Sequence, residues 1–165
     1  MLYQAKAMNI TIITGARGAG KTSFLKEQIR TPEFSGKKIT GFYAENRGDG
    51  YEIVNLQQHE KVLLCKRNDP GTGKLRLQDF YFSEAAIKTG KKWIEKNLRL
   101  ANAVFVIDEA GRFELDGYVW DSLIRKVLKN NAGSLIMVVR KKFLEDVIKK
   151  YGLDNSGNDL KIIEV

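Results

Sequence analysis

Two short stretches bring together the residue types that phosphate chemistry uses. The first, Gly15-Ala16-Arg17-Gly18-Ala19-Gly20-Lys21-Thr22, fits the pattern G-x-x-x-x-G-K-[ST] in full. Glycines let the backbone curl into a nest of N–H groups aimed at a phosphate chain, and a helix opening there adds its positive end. Lys21 then lies beside the outer phosphates, and the Thr22 hydroxyl is placed to ligate a magnesium ion bridging them. The expected nucleotide-binding residues are Gly15, Ala16, Arg17, Gly18, Ala19, Gly20, Lys21, Thr22 and Ser23.

The second stretch is Ala-Val-Phe-Val-Ile-Asp-Glu-Ala, residues 103–110, a continuous apolar run that delivers Asp108 and Glu109 at its carboxyl end. Such runs mark strands covered on both faces, and that edge is where open α/β sheets place their ligands. Asp108 is expected to hold the magnesium with Thr22, mostly through water, and Glu109 to polarise the attacking water. The adjacent acid favours hydrolysis, because a kinase must keep water from the terminal phosphate. Charge developing on the transferred group needs a cation beyond Lys21. Arg17, Arg112 and Arg140 are candidates, and Arg112, three residues after Glu109, is the first choice as a catalytic residue. Glu45 and Asn46 also fall at a strand end, where a plain turn explains them more simply than chemistry does. His59 lies in a polar turn without a cysteine or second histidine beside it, which argues against a transition-metal site.

These residues need elements to position them. A β-branched run, Ile10–Ile13, precedes the glycine loop and a helix-forming run, Ser23–Arg30, follows it, the order this motif requires. A strand over Ile39–Glu45, the glycine turn Arg47–Gly50 and an extended segment over Lys61–Lys66 suggest a hairpin within a small antiparallel meander. The stretch Asn68–Lys74, with one proline and two glycines, reads as a surface loop in preference to a mobile flap. Ser83 is the expected N-cap of a helix of about 17 residues carrying Ile87, Ile94 and Leu98 on one face. Further helices are predicted over Tyr118–Lys129 and Lys142–Tyr151, with strands over Ser134–Val139 and Leu160–Val165. Alternating strands and helices define an α/β layered fold, and no linker divides residues 1–165 into more than one domain.

Composition limits the partners. The net charge of +8 comes from 28 basic and 20 acidic residues, but the basic pairs are scattered and form no stripe interleaved with aromatics. Nucleic acid is admitted as a partner and not favoured. The single cysteine, Cys65, cannot form an internal disulfide, and no apolar run approaches the roughly 18 residues that cross a bilayer. A cytoplasmic protein without membrane contact is the expectation.

The chain resembles the small P-loop nucleoside-triphosphatases first described from thermophiles. The likeness rests on Thr-Gly-Ala-Arg-Gly-Ala-Gly-Lys-Thr, on Gly-Phe-Tyr-Ala-Glu-Asn before the glycine turn and Tyr-Glu-Ile-Val-Asn-Leu, and on Val106–Leu115, where Gly-Arg-Phe-Glu-Leu nearly follows the Asp-Glu pair. It implies a three-layer, RecA-type additional-strand fold with a mainly parallel central sheet. It also implies magnesium-dependent hydrolysis of ATP, GTP and other nucleoside triphosphates to diphosphate, with loose base preference and Glu109 as the catalytic carboxylate; separately, a monomer or weak oligomer is expected. Ala110, Phe113 and Asn46 depart from the residues common in that family. A nucleic-acid-stimulated ATPase, a kinase for a nucleoside or small metabolite, and a nucleotide-gated binding protein are the competing readings.

Overall fold

The computed structural model describes residues 8–130, 133–155 and 157–165. Its strands are β1 Asn9–Gly15, β2 Lys38–Asn46, β3 Gly50–Asn55, β4 Lys61–Arg67, β5 Leu75–Leu77, β6 Phe80–Phe82, β7 Ala103–Ala110, β8 Ser134–Arg140 and β9 Asp159–Glu164. The helices are α1 Lys21–Gln28, α2 Glu84–Glu95, α3 Arg112–Leu115, α4 Asp121–Asn130 and α5 Leu144–Tyr151. All nine strands form one sheet in the order β5-β6-β4-β3-β2-β7-β8-β1-β9.

The sheet is mixed, which corrects the expectation of a mainly parallel one. The strands β2, β7, β8, β1 and β9 run parallel to one another, whereas β2–β3, β3–β4, β4–β6 and β5–β6 pair antiparallel. Connection length is the physical reason. A parallel neighbour needs a crossover of a dozen or more residues, and the short turns between β2 and β3, β3 and β4, and β5 and β6 permit only hairpins. The strands β5 and β6 have three residues each, too few for an alternation to show.

Successive residues of the central strands face opposite layers, as strand geometry requires. In β7, Val104 and Val106 pack with Ile13 and with Leu25 of α1, whereas Phe105 and Ile107 join α2, α4 and α5 through Ile94, Ile124 and Val147. Both faces are therefore covered, which is why β7 and β8 read as unbroken apolar runs. Gly41 lets β2 lie close on β7: its φ is +125°, and a Cβ there would stand 2.1 Å from the Val106 carbonyl oxygen.

Several helix boundaries differ from those the sequence pattern predicts: α1 is Lys21–Gln28, α5 starts at Leu144 after a 3-10 turn, and the ends of α2 and α4 shift for local reasons. Ser83 caps α2 as expected, its Oγ accepting from the Ala86 N–H at 3.1 Å, but the helix ends at Glu95. Beyond it Asn97 is turned into the interior, donating to Thr40 Oγ1 at 3.1 Å, and Thr40 donates to the Trp93 carbonyl at 2.8 Å. The helix α4 begins at Asp121, not Tyr118, because Val119 is left-handed with φ 51°. The Asn68–Lys74 stretch contains a 3-10 turn, Pro70–Thr72, capped by Asp69, whose Oδ1 accepts from the Gly71 N–H at 3.0 Å.

Candidate active site

The glycine loop leaves β1 at the carboxyl edge of the sheet and turns directly into α1. Gly20, the residue before the helix, has φ 88°, a conformation that side-chain-bearing residues rarely adopt. Lys21 is buried, and its Nζ donates to the Ala16 carbonyl at 2.7 Å, so its charge is held across the loop it belongs to. Arg17 and Ser23 are exposed at the loop surface and the first turn of α1.

The two sequence motifs meet. Thr22 Oγ1 donates to Asp108 Oδ2 at 2.7 Å, a contact between residues 86 positions apart in the chain. The Ala44 N–H of β2 donates to the same oxygen at 3.2 Å. Asp108 is 2% exposed, and burial, reinforced by the charge of Glu109, pushes its carboxyl up to about 7, against the pull of the Thr22 and Ala44 bonds and of Lys21. A buried carboxylate with a hydroxyl beside it offers hard oxygen ligands, and a cation there would restore the charged form. Among the described residues no three or more His, Cys, Asp or Glu side chains cluster as a metal cage. Magnesium is commonly held by one or two carboxylates together with substrate phosphates, and Asp108 beside the Thr22 hydroxyl is a donor set of that kind.

Glu109 lies at the end of β7, where the pairing with β8 shifts register between Asp108 and Ala110. Its Oε1 pairs with Arg140 Nε at 2.9 Å, both side chains being about one-third exposed. Arg140 ends β8, the strand inserted between β1 and β7. Arg112 opens α3 and engages Asp116 Oδ2 through Nε at 3.1 Å, while lining the same cavity as Lys21 and Glu109. Of the three candidate arginines, the one in contact with Glu109 is therefore Arg140.

Glu45 turns outward to Lys61 at 3.1 Å, and Asn46 Oδ1 accepts from the Gly48 N–H at 2.7 Å. The Ala44–Asn46 segment thus contributes a backbone N–H to the site, a role no side chain announces. Sequence reasoning also assigned no task to Glu114. This residue is 3% exposed; its Oε2 accepts from the Gly111 N–H at 2.8 Å and its Oε1 from the Trp120 N–H at 3.4 Å. Burial pushes its carboxyl up to about 8. The clasp ties the chain two residues beyond Glu109 to the start of α3, and Lys150 Nζ reinforces it by donating to the Glu114 carbonyl at 2.6 Å. An acid at the third position of a helix, reaching back to its cap, is the signal that could have revealed it.

These groups open on one cavity of about 790 Å³ that runs from the glycine loop past Glu109 to the antiparallel half of the sheet. A phosphate nest joined to a buried aspartate two strands away, with a second acid beside it, defines a nucleotide-hydrolysing P-loop protein. The chain belongs to the NTPase family, whose model matches residues 10–165. It is similar to the nucleoside-triphosphatase THEP1 of Sulfolobus acidocaldarius, 28% identical over 87% of this chain and 84% of that protein. The THEP1 of Aquifex aeolicus is 24% identical over 84% of this chain and 82% of the relative. The fold is shared with the solution structure of a human cancer-related nucleoside triphosphatase at a TM-score of 0.66 and 21% identity, covering 98% of this chain and 89% of that one. Among the described residues no helix is long and apolar enough to cross a membrane.

Proposed function

We propose that this NTPase hydrolyses nucleoside 5′-triphosphates such as ATP and GTP to diphosphate and phosphate in a magnesium-dependent reaction, with loose preference for the base. The observation that carries the reading is the Thr22–Asp108 bond at 2.7 Å, which joins the phosphate loop to the acid strand. The strand order supports a RecA-type, additional-strand arrangement, since β8 separates β1 from β7. We read residues 1–165 as one nucleotide-binding domain.

The loop N–H groups and Lys21 bind and orient the phosphates, with Lys21 exchanging its bond to the Ala16 carbonyl for a phosphate oxygen. Thr22 and Asp108 are the residues that would hold magnesium, which supplies neutralising charge at the terminal phosphates. Glu109 accepts the proton of the attacking water as the new bond to phosphorus forms and the bridging oxygen leaves with the diphosphate. Arg140 keeps the Glu109 carboxylate oriented through their pair, so it is a positioning residue. Arg112, on the rim of the same cavity, is the proposed stabiliser of transferred charge once it leaves Asp116.

The test is the release of phosphate and diphosphate from ATP, GTP, CTP and UTP, with magnesium and with a chelator. All four should be hydrolysed with magnesium and none with chelator. Undiminished release under chelation overturns the metal assignment, and transfer of phosphate only to an added acceptor overturns the hydrolytic one.

A further inference from the structure

The cavity is larger than water-driven hydrolysis requires. At about 790 Å³ it lies toward the upper end of the range for small-molecule sites, about 300–1,000 Å³. One half is the phosphate loop with Asp108 and Glu109. The other half lies beyond them in the sheet order, away from β1, against β3, β4 and β6. Its wall is aromatic. Phe113 of α3 meets Phe82 edge-on at 5.3 Å and Phe80 at 6.4 Å, and Tyr51 lies 6.1 Å from Phe80. Tyr51, Phe80 and Phe113 are only partly buried, so their remaining surface faces the cavity.

A cation stands over this wall. Arg67 holds its guanidinium 4.9 Å above the Phe80 ring, with Nε on Asp79 at 3.3 Å. Six basic and four acidic side chains line the cavity as a whole. With the triphosphate on the loop as proposed above and its terminal phosphate at Thr22 and Asp108, the aromatic half is lined from β3, β4 and β6, none of which carries a residue of the glycine loop. The nucleotide's phosphates do not fill it, and one attacking water does not need it.

We propose that the chamber walled by Tyr51, Phe80, Phe82 and Phe113 binds a second ligand, a planar aromatic molecule bearing an anionic group, at the same time as the nucleotide. The ring packs against these aromatic side chains, and Arg67 receives the anionic group. The inference rests on the nucleotide placement proposed above.

Calorimetric titration tests it with naphthalene-1-sulfonate as the anionic probe and 1-naphthol as its neutral counterpart, each with and without saturating magnesium and ADP. The sulfonate should bind in both conditions. Phe113→Ala and Phe80→Ala should each weaken it about tenfold, in keeping with the value of a ring stack. Arg67→Ala, at a half-exposed position, should weaken the sulfonate about fivefold and leave 1-naphthol unchanged. Displacement of the sulfonate by ADP would mean that the chamber receives the nucleotide's own base, and would overturn the proposal. Failure of the sulfonate to bind, or equal binding to the parent and Arg67→Ala, overturns it too. ADP titrated alone separates the outcomes: if ADP does not bind, the nucleotide placement fails, whereas ADP binding without the probe removes only the second site.

Discussion

Glu114 offers a sharp test of how the site is held, because its carboxyl is buried without a cation on it. Its ordinary value of 4.5 is pushed to about 8, chiefly by burial, against the bonds it accepts from the Gly111 and Trp120 backbone. The folded protein therefore binds this proton more tightly than the unfolded chain. The neutral acid's stabilising contribution is fully present below 4.5 and is lost as pH rises through about 8. Over the interval of roughly 3.5 pH units between those values, at about 1.4 kcal/mol per unit, the loss is about 5 kcal/mol. Other groups titrate as well, so the quantity to follow is the difference between parent and Glu114→Gln. Gln keeps one acceptor and cannot ionise. Urea unfolding from pH 5 to 8.5 should show the parent losing ground steadily to the variant, by a few kcal/mol at the alkaline end. A difference that stays flat across that range refutes a buried, protonated Glu114.

Other outcomes follow from the same geometry. Gly41→Ala should destabilise the protein by roughly 3 kcal/mol in denaturant unfolding, because φ is +125° and the new Cβ would meet the Val106 carbonyl oxygen at 2.1 Å. Thr22→Val removes the hydroxyl on Asp108. It should raise the magnesium concentration needed for half-maximal turnover about tenfold or more, read from phosphate release at fixed nucleotide. Arg140→Ala frees Glu109 from its partner 2.9 Å away and should lower kcat about tenfold with little change in KM. Arg112→Ala should lower kcat as well, and a KM effect alone would remove Arg112 from the chemistry.

Much of this architecture is legible in the residues. The spacing Gly15 to Thr22 and the apolar run into Asp108 and Glu109 identify both halves of the site, and the structure joins them through Thr22 and Asp108. Their meeting was inferable because both motifs sit at carboxyl ends of strands of one α/β sheet. The antiparallel half was only partly legible, since β5 and β6 are too short to show a period and their partners are set by tertiary packing. The Ala44 N–H could not be read at all, because a backbone group carries no residue type. Arg140 is one of three candidate arginines in the sequence and ranks behind Arg112 there, and only the neighbouring position of β8 and β7 brings it to Glu109. Glu114 was visible as part of the Gly-Arg-Phe-Glu-Leu segment, but its burial follows from how α3 packs against α4 and α5.

The central claim is that Glu109 is the base acting on the attacking water, and Glu109→Gln tests it most directly. The substitution preserves size and removes the proton acceptor. Phosphate release from ATP under saturating magnesium should fall by about 10² to 10⁴, with the affinity for ADP unchanged. Turnover equal to the parent's, at equal ADP affinity, would contradict the account.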